Sequence, residues 1–200
     1  TVSPNYAQEI RWSYYGEGMD GVINYRAADF LGILNGIDYD EWNPTTDKSL
    51  SFNYDKFNLD GKRSNKHQLL KDYGLTENDD LDMPLISMVT RLAEQKGIDL
   101  VVNKMEELLE TTHFRLFILG SGEYNYEQFL RYLQSRFPKK AIIHIGHDIG
   151  LSHRIFAASD YFLMPSRFEP CGLTQMFSLR YGTIPIARET GGIADTVKEY

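Results

Sequence analysis

Cysteine is almost missing from this chain: Cys171 stands alone among 200 residues. One thiol excludes an internal disulfide framework, fits a reducing cytoplasm, and cannot form half of a metal-binding cysteine pair. Histidine is sparse as well. His67, His113, His144, His147 and His153 show no HExxH-like pairing, which argues against a structural zinc site. No apolar run approaches the roughly 20 residues that cross a bilayer. Positive charge is in deficit, with 21 Lys and Arg against 28 Asp and Glu for a net charge of −7. That balance speaks against a general nucleic-acid surface, yet a local cationic pocket can still receive a small anion. Internal repeats and low-complexity tracts are lacking too. Neither a signal-peptide pattern nor an initiating Met is present. The chain is therefore expected to be a piece of something longer, its last helix cut at residue 200.

What is present points to a packed α/β domain. Hydrophobic residues make up 42% and charged residues 24%, which supports a core and excludes disorder. From residue 84 onward, short apolar runs alternate with helical patterns. Strands are expected at PLISMVTR (84–91), RLFILG (115–120), AIIHIG (141–146), YFLMP (161–165) and TIPIA (183–187). The intervening helices are GIDLVVNKMEELLE (97–110), YEQFLRYLQSRF (126–137), LSHRIFAAS (151–159) and GLTQMFSLRYG (172–182). GGIADTVKEY begins one more. Strands apolar on both faces, each followed by a helix, predict a doubly wound parallel sheet, Rossmann-like.

Residues 1–60 read differently. TVSPNYAQEIRWSYYGEGMDGVI suggests a strand end and then one helix carrying Tyr6, Ile10 and Tyr14. LGILNGIDYDEWNPTTD (31–47) is rich in Asn, Asp, Gly and Pro, the composition of loops, and reads as a hinge or linker. KHQLLKDYGL (66–75) is a further helix, ended by Gly74.

The chemistry gathers behind three strands. Arg91 ends the first strand and Lys96 precedes a helix, so two cations flank a helix start, an arrangement suited to a diphosphate. Glu169 stands at the carboxyl edge of the fourth strand in PSRFEPCGLTQ. There Pro170 fixes the turn, Gly172 lets a ligand approach, and the backbone N–H groups near Leu173 and Thr174, with the Thr174 hydroxyl, can hold an anion. Cys171 has no evident base partner and reads as a small buried residue at a helix start. Thr190-Gly191-Gly192 is a third glycine turn on the same edge. Gly120-Ser121-Gly122 lacks the third glycine of a dinucleotide loop, since position 125 is Asn, so no nicotinamide cofactor is expected.

RLAEQKG, SRFEPCGLTQ, RETGGIADTV, TVSPNYA and ILNGID-YDEWNPTTD together resemble the bacterial glycogen synthase family, with plant starch synthases as near relatives. The resemblance covers nearly the whole chain. It implies a GT-B glycosyltransferase that passes glucose from ADP-glucose to the non-reducing end of an α-1,4-glucan, with retention and without an obligatory metal or other cofactor. By this resemblance Arg91 and Lys96 bind the diphosphate and stabilise departing ADP, and Glu169 holds hydroxyls of the donor glucose. Cys171, Gly172, Leu173 and Thr174 line the sugar and phosphate pocket, while Gly191 and Gly192 lie close to the donor. Residues 1–60 become the remnant of an N-terminal domain with its linker. Residues 61–200 become a truncated nucleotide-sugar-binding C-terminal domain.

Two departures bear on this. Related retaining enzymes of the sucrose and trehalose type usually carry a second Glu where Phe177 stands; glycogen synthases lack it. The family's adenine-stacking Tyr is replaced by His147, which loosens the preference between ADP and UDP. The motifs that the family's N-terminal domain supplies are not in this sequence, so the chain alone is expected to bind nucleotide without catalysing transfer. The remaining reading is a nucleotide-sugar or glycan-binding module without chemistry. The implied partners are ADP-glucose, the glucan and the missing N-terminal domain of the same chain; nucleic acid and membrane are not among them.

Overall fold

Strand β2 (Arg115–Gly120) is buried along its whole length and organises the rest. Its side chains alternate between two faces, as a strand's must. Leu116 and Ile118 meet Val101, Met105 and Leu109 of one helix and Leu130 and Leu133 of another. Phe117 and Leu119, on the other face, meet Leu69 and Leu70 of a third helix and Leu151 and Ile155 of a fourth. Each fully buried aliphatic or aromatic side chain contributes roughly 1.5–3 kcal/mol, so a strand apolar on both faces is stable only between two helical layers.

The computed structural model describes residues 1–199. The helices are α1 (Pro4–Glu9), α2 (Ser13–Gly16), α3 (Asp20–Tyr25), α4 (Asp60–Asp72), α5 (Ile98–Thr111), α6 (Tyr124–Arg136), α7 (Ile149–Ala158), α8 (Thr174–Arg180) and α9 (Gly191–Thr196). Strands β1 (Leu85–Val89), β3 (Ala141–Ile145), β4 (Tyr161–Met164) and β5 (Ile184–Ala187) join β2 in one sheet of order β3-β2-β1-β4-β5. Every pairing is parallel. Helices α5 and α6 cover one face; α4 and α7 cover the other. This is the doubly wound sheet that the alternation predicts. The chain runs outward from β1 to β3, then returns to place β4 on the other side of β1. The loops after β1 and β4 therefore diverge at the sheet's centre and open a crevice where such folds bind ligands.

Three segments depart from the expectations. The single helix through Tyr6, Ile10 and Tyr14 is broken into α1 and α2, because Trp12 adopts an extended conformation between them. A continuous helix would put Ile10 and Tyr14 on one face; the break buries Ile10 and leaves Tyr14 exposed. The stretch read as a hinge is irregular, but its later part is packed rather than free. The Trp42 ring lies between His153 and Phe177, at centroid distances of 3.9 and 3.7 Å. Leu50 and Tyr54 enter the cluster of Phe156, Phe162 and Tyr181. Asp47 accepts from the Tyr181 hydroxyl at 2.5 Å and contacts His153 Nδ1 at 2.7 Å. Burial pushes the Asp47 carboxyl up, but hydrogen bonds from Tyr181, the Ser49 N–H and His153 outweigh it and hold the group below its usual value. The last helix ends at Thr196, short of the expected span; Tyr200 lies outside the described residues. No described helix is long and apolar enough to cross a membrane.

Candidate active site

Gly97 brings the two central loops together. It sits at φ 72°, and a Cβ there would lie 2.2 Å from the Pro165 carbonyl oxygen, so only glycine permits this approach. Gln95 reinforces the junction. Its carbonyl accepts from the Arg167 N–H at 2.9 Å, and its amide donates to the Phe168 carbonyl at 3.4 Å. Lys96 follows Gln95 as Glu169 follows Phe168, and the two side chains meet on the inner side, Nζ to Oε2 at 2.5 Å. Ser166 Oγ donates to the same oxygen at 3.3 Å. Glu169 is 6% exposed, and its Oε1 has no hydrogen-bond partner among the described residues.

Lys96, Glu169 and Thr174 line a narrow hollow between the ends of β1 and β4. Val89 and Thr90 form its wall and also line a neighbouring hollow of about 230 Å³. The second hollow carries Arg91, Ser121, His147 and Asp148. Arg91 is exposed and donates to Gln95 Oε1 at 3.3 Å. The structure thus brings Lys96 and Glu169 into contact and puts Arg91 and His147 around the adjoining hollow. All four lie at the carboxyl ends of β1, β3 and β4.

The other expected site residues stand in a supporting layer. Leu173 precedes α8 with no side-chain cap, and Thr174 Oγ1 faces Met164 Sδ at 3.6 Å. Helix α8 begins at Thr174 rather than at Gly172, because Gly172 adopts φ 71°. Cys171 is a buried free thiol. A Cβ on Gly191 would lie 1.9 Å from the Glu169 carbonyl oxygen, and one on Gly192 would lie 2.3 Å from Cys171 Cα. These two glycines let α9 pack directly on the backbone that carries Glu169. Their turn is not open to an outside anion: Glu9 accepts from the Gly191 N–H at 2.8 Å and from Thr190 Oγ1 at 3.4 Å. The Gly122 N–H is likewise taken, by Glu127 Oε1 at 3.1 Å.

Sequence reasoning missed Glu9 in that role, and it missed Gln175. Gln175 is fully buried. Its Nε2 donates to the carbonyls of Cys171 at 2.9 Å and Gly172 at 3.0 Å, and to Thr196 Oγ1 at 2.9 Å, lashing the Glu169 loop to α9. An amide one residue into a helix, next to three residues of a ligand loop, was the available signal. Among the described residues, no group of three or more His, Cys, Asp or Glu could hold a metal ion.

A five-stranded parallel sheet with helices on both faces defines an α/β protein of the Rossmann-like kind, and such folds bind ligands at the switch point. The comparisons with known proteins narrow this. The family description "Glycosyl transferases group 1" matches residues 76–200. A glycogen synthase of Thermosipho melanesiensis is 52% identical over all 200 residues, which span 41% of its own length. The Bacillus subtilis glycogen synthase is 50% identical over the same span, again 41% of its length. Among solved structures, the catalytic domain of starch synthase IV from Arabidopsis thaliana, bound to ADP and acarbose, superposes with a TM-score of 0.91. It is 42% identical, and the match covers all of this chain and 41% of that one. This chain belongs to the group 1 glycosyl transferases.

Proposed function

We propose that the chain is the nucleotide-sugar-binding part of a retaining glycosyltransferase that passes glucose from ADP-glucose to the non-reducing end of an α-1,4-glucan. The observation that carries this reading is the Lys96–Glu169 contact across the switch point, with the exposed Arg91 guanidinium beside it. Relatives about 50% identical along the whole chain, and a neighbour solved with ADP and acarbose, support it.

The chemistry follows from the charges. The glucose C1–oxygen bond breaks, and its electron pair leaves on the distal phosphate of ADP. A glucan hydroxyl forms the new bond to C1 and passes its proton to the departing phosphate oxygen. Negative charge grows on the diphosphate, where Arg91 and the two Lys96 protons not used by Glu169 can stabilise it without a metal. Glu169 carries the glucose hydroxyls on its open oxygen and favours positive charge at C1. Thr174 and the uncapped start of α8 face the phosphates, with Cys171, Gly172 and Leu173 shaping the turn behind them. Gly191 and Gly192 act by holding that turn in place. His147 offers its ring to the base, and ADP is preferred to UDP.

In this reading residues 1–60 are what remains of a first domain and its linker, with residues 42–54 packed on the donor domain. The chain alone binds nucleotide and does not turn over. The whole protein works in the cytoplasm, a compartment that the single thiol of this chain suits.

Calorimetry tests the donor assignment. ADP should bind wild type more tightly than UDP, and Arg91→Ala should weaken ADP by about tenfold to a hundredfold, the loss of one charged hydrogen-bonding group. Equal binding in the variant refutes the diphosphate role. Labelled ADP-glucose incubated with glycogen should leave no label in the polymer; sustained incorporation refutes the claim of inactivity.

A further inference from the structure

Helix α1 packs on the start of α9, and the two exchange hydrogen bonds in both directions. Asn5 and Glu9 stand four residues apart on one face of α1, and Asn5 Nδ2 donates to Glu9 Oε1 at 3.1 Å. Together they grip one residue of α9. Glu9 Oε1 accepts from the Gly191 N–H at 2.8 Å, and Asn5 Nδ2 donates to the Gly191 carbonyl at 3.1 Å. From the other side, Asp195 Oδ2 accepts from Ser3 Oγ at 2.5 Å and from the Asn5 N–H at 2.9 Å. Ser3 keeps its place at φ 67°, a conformation that a residue with a Cβ holds only where its surroundings enforce it.

This grip ends on the loop that carries Glu169. The next N–H along, that of Gly192, donates to the Glu169 carbonyl at 2.9 Å. Gly191 itself packs so closely that a Cβ would lie 1.9 Å from the same carbonyl oxygen. Two successive N–H groups of α9 therefore point one to Glu9 and the other to Glu169. Without the Glu9 carboxylate the buried Gly191 N–H loses its acceptor, and a buried donor left unpaired favours any shift that finds it a new partner. Such a shift carries the Glu169 backbone with it. Lys96 has separate support, because Gly97 lies against Pro165 and Gln95 is bonded to Arg167 and Phe168. The phosphate-binding cations thus keep their places when the Gly191 turn moves.

We infer that Glu9 is a positioning residue for Glu169: through Gly191 and Gly192 it fixes the carboxylate that takes the donor-glucose hydroxyls, without binding the sugar itself. The inference rests on the donor reading above for the role of Glu169, and on the bonds between α1 and α9 for the coupling. Coupling of this kind is reciprocal, so glucose held at Glu169 also tightens the bond between Glu9 and Gly191.

The test titrates the 200-residue chain separately with ADP-glucose and with ADP, in wild type, Glu9→Ala and Glu9→Gln. Glu9→Ala should raise the ADP-glucose dissociation constant about tenfold and leave that of ADP within about twofold. Glu9→Gln keeps a side-chain oxygen for the Gly191 N–H. It should restore ADP-glucose binding to within about threefold of wild type, which a role through charge alone would not allow. Amide hydrogen exchange in wild type is a second measurement that needs no variant, and it decides the matter if Glu9→Ala does not fold. ADP-glucose should slow exchange at Gly191 and Gly192, and ADP should not. Several results would overturn the positioning role and leave the donor reading standing: equal losses for ADP-glucose and ADP in Glu9→Ala, ADP-glucose affinity that ignores Glu9, no rescue by Glu9→Gln, or exchange at the two glycines that ADP-glucose leaves unchanged. ADP-glucose bound by wild type no more tightly than ADP would overturn the sugar role of Glu169 and the positioning role with it. Failure of both ligands to bind would overturn both readings.

Discussion

Replacing Lys96 by alanine strands the Glu169 carboxylate, only 6% exposed, without its cation. At 2.5 Å and an effective dielectric near 20, the gross attraction is about 6–7 kcal/mol. Desolvating the two ions costs several kcal/mol each, so the intact pair adds little net stability. Removing one partner is another matter, because the desolvation cost of the survivor remains. Breaking a fully buried pair costs about 3–5 kcal/mol. The Lys96 side chain is 18% exposed, which lowers the expectation for Lys96→Ala to about 2–4 kcal/mol. For a chain of this size that is a fall in Tm of roughly 5–12 °C. Glu169→Ala should cost less, about 1–2 kcal/mol, because the long Lys96 side chain can swing its ammonium into water. The double variant then costs less than the two singles added, with a coupling of about 1.5 kcal/mol or more. Urea denaturation of the four proteins measures this. A coupling below about 0.5 kcal/mol would show that the two groups act independently and refute the reasoning.

Two further outcomes can be checked on the same chain. Trp42→Ala should destabilise it by about 2–4 kcal/mol, as loss of a stacked, partly buried ring demands; a change under about 0.5 kcal/mol in urea denaturation would mean the 42–54 segment is a free linker after all. Burial pushes the Lys62 ammonium from 10.5 down to about 7, with Asp160 countering in part and Lys66 adding to the effect. Between those values the unfolded chain binds more protons than the folded one. The stability tied to this group therefore rises with pH, by up to about 1.4 kcal/mol per unit. Lys62→Met should remove that rise, and equal pH slopes for the two proteins between about pH 7.5 and 9.5 would contradict it.

The sheet was legible because its strands are apolar on both faces. LISMV and RLFILG can be buried only between two layers. The near-helical spacing of Leu100, Val101, Met105, Leu108 and Leu109 pointed to a helix that covers one face, although Leu100 and Leu108 stand exposed and only Val101, Met105 and Leu109 of these five are buried. Helix limits were less clear. The expected start of α8 at Gly172 missed a glycine held at positive φ, whose conformation serves the loop and not the helix. Residues 1–60 resisted reading because their partners are distant in sequence. Trp42 is defined by His153 and Phe177, and neither can be inferred from a run of Asn, Asp and Pro. Arg91, Lys96 and Glu169 were legible as a set by their positions after strands. That Lys96 touches Glu169 was not, since 73 residues separate them and the junction depends on Gly97 lying against Pro165. The closure of the Gly191 turn by Glu9 was hidden for the same reason.

A crystal structure of this chain with ADP-glucose bound addresses the central claim most directly. The account predicts diphosphate oxygens within hydrogen-bonding distance of both Arg91 and Lys96, and glucose hydroxyls on Glu169. A nucleotide sugar seated away from the β1 and β4 loops, or one that leaves the Lys96–Glu169 pair untouched, would contradict it.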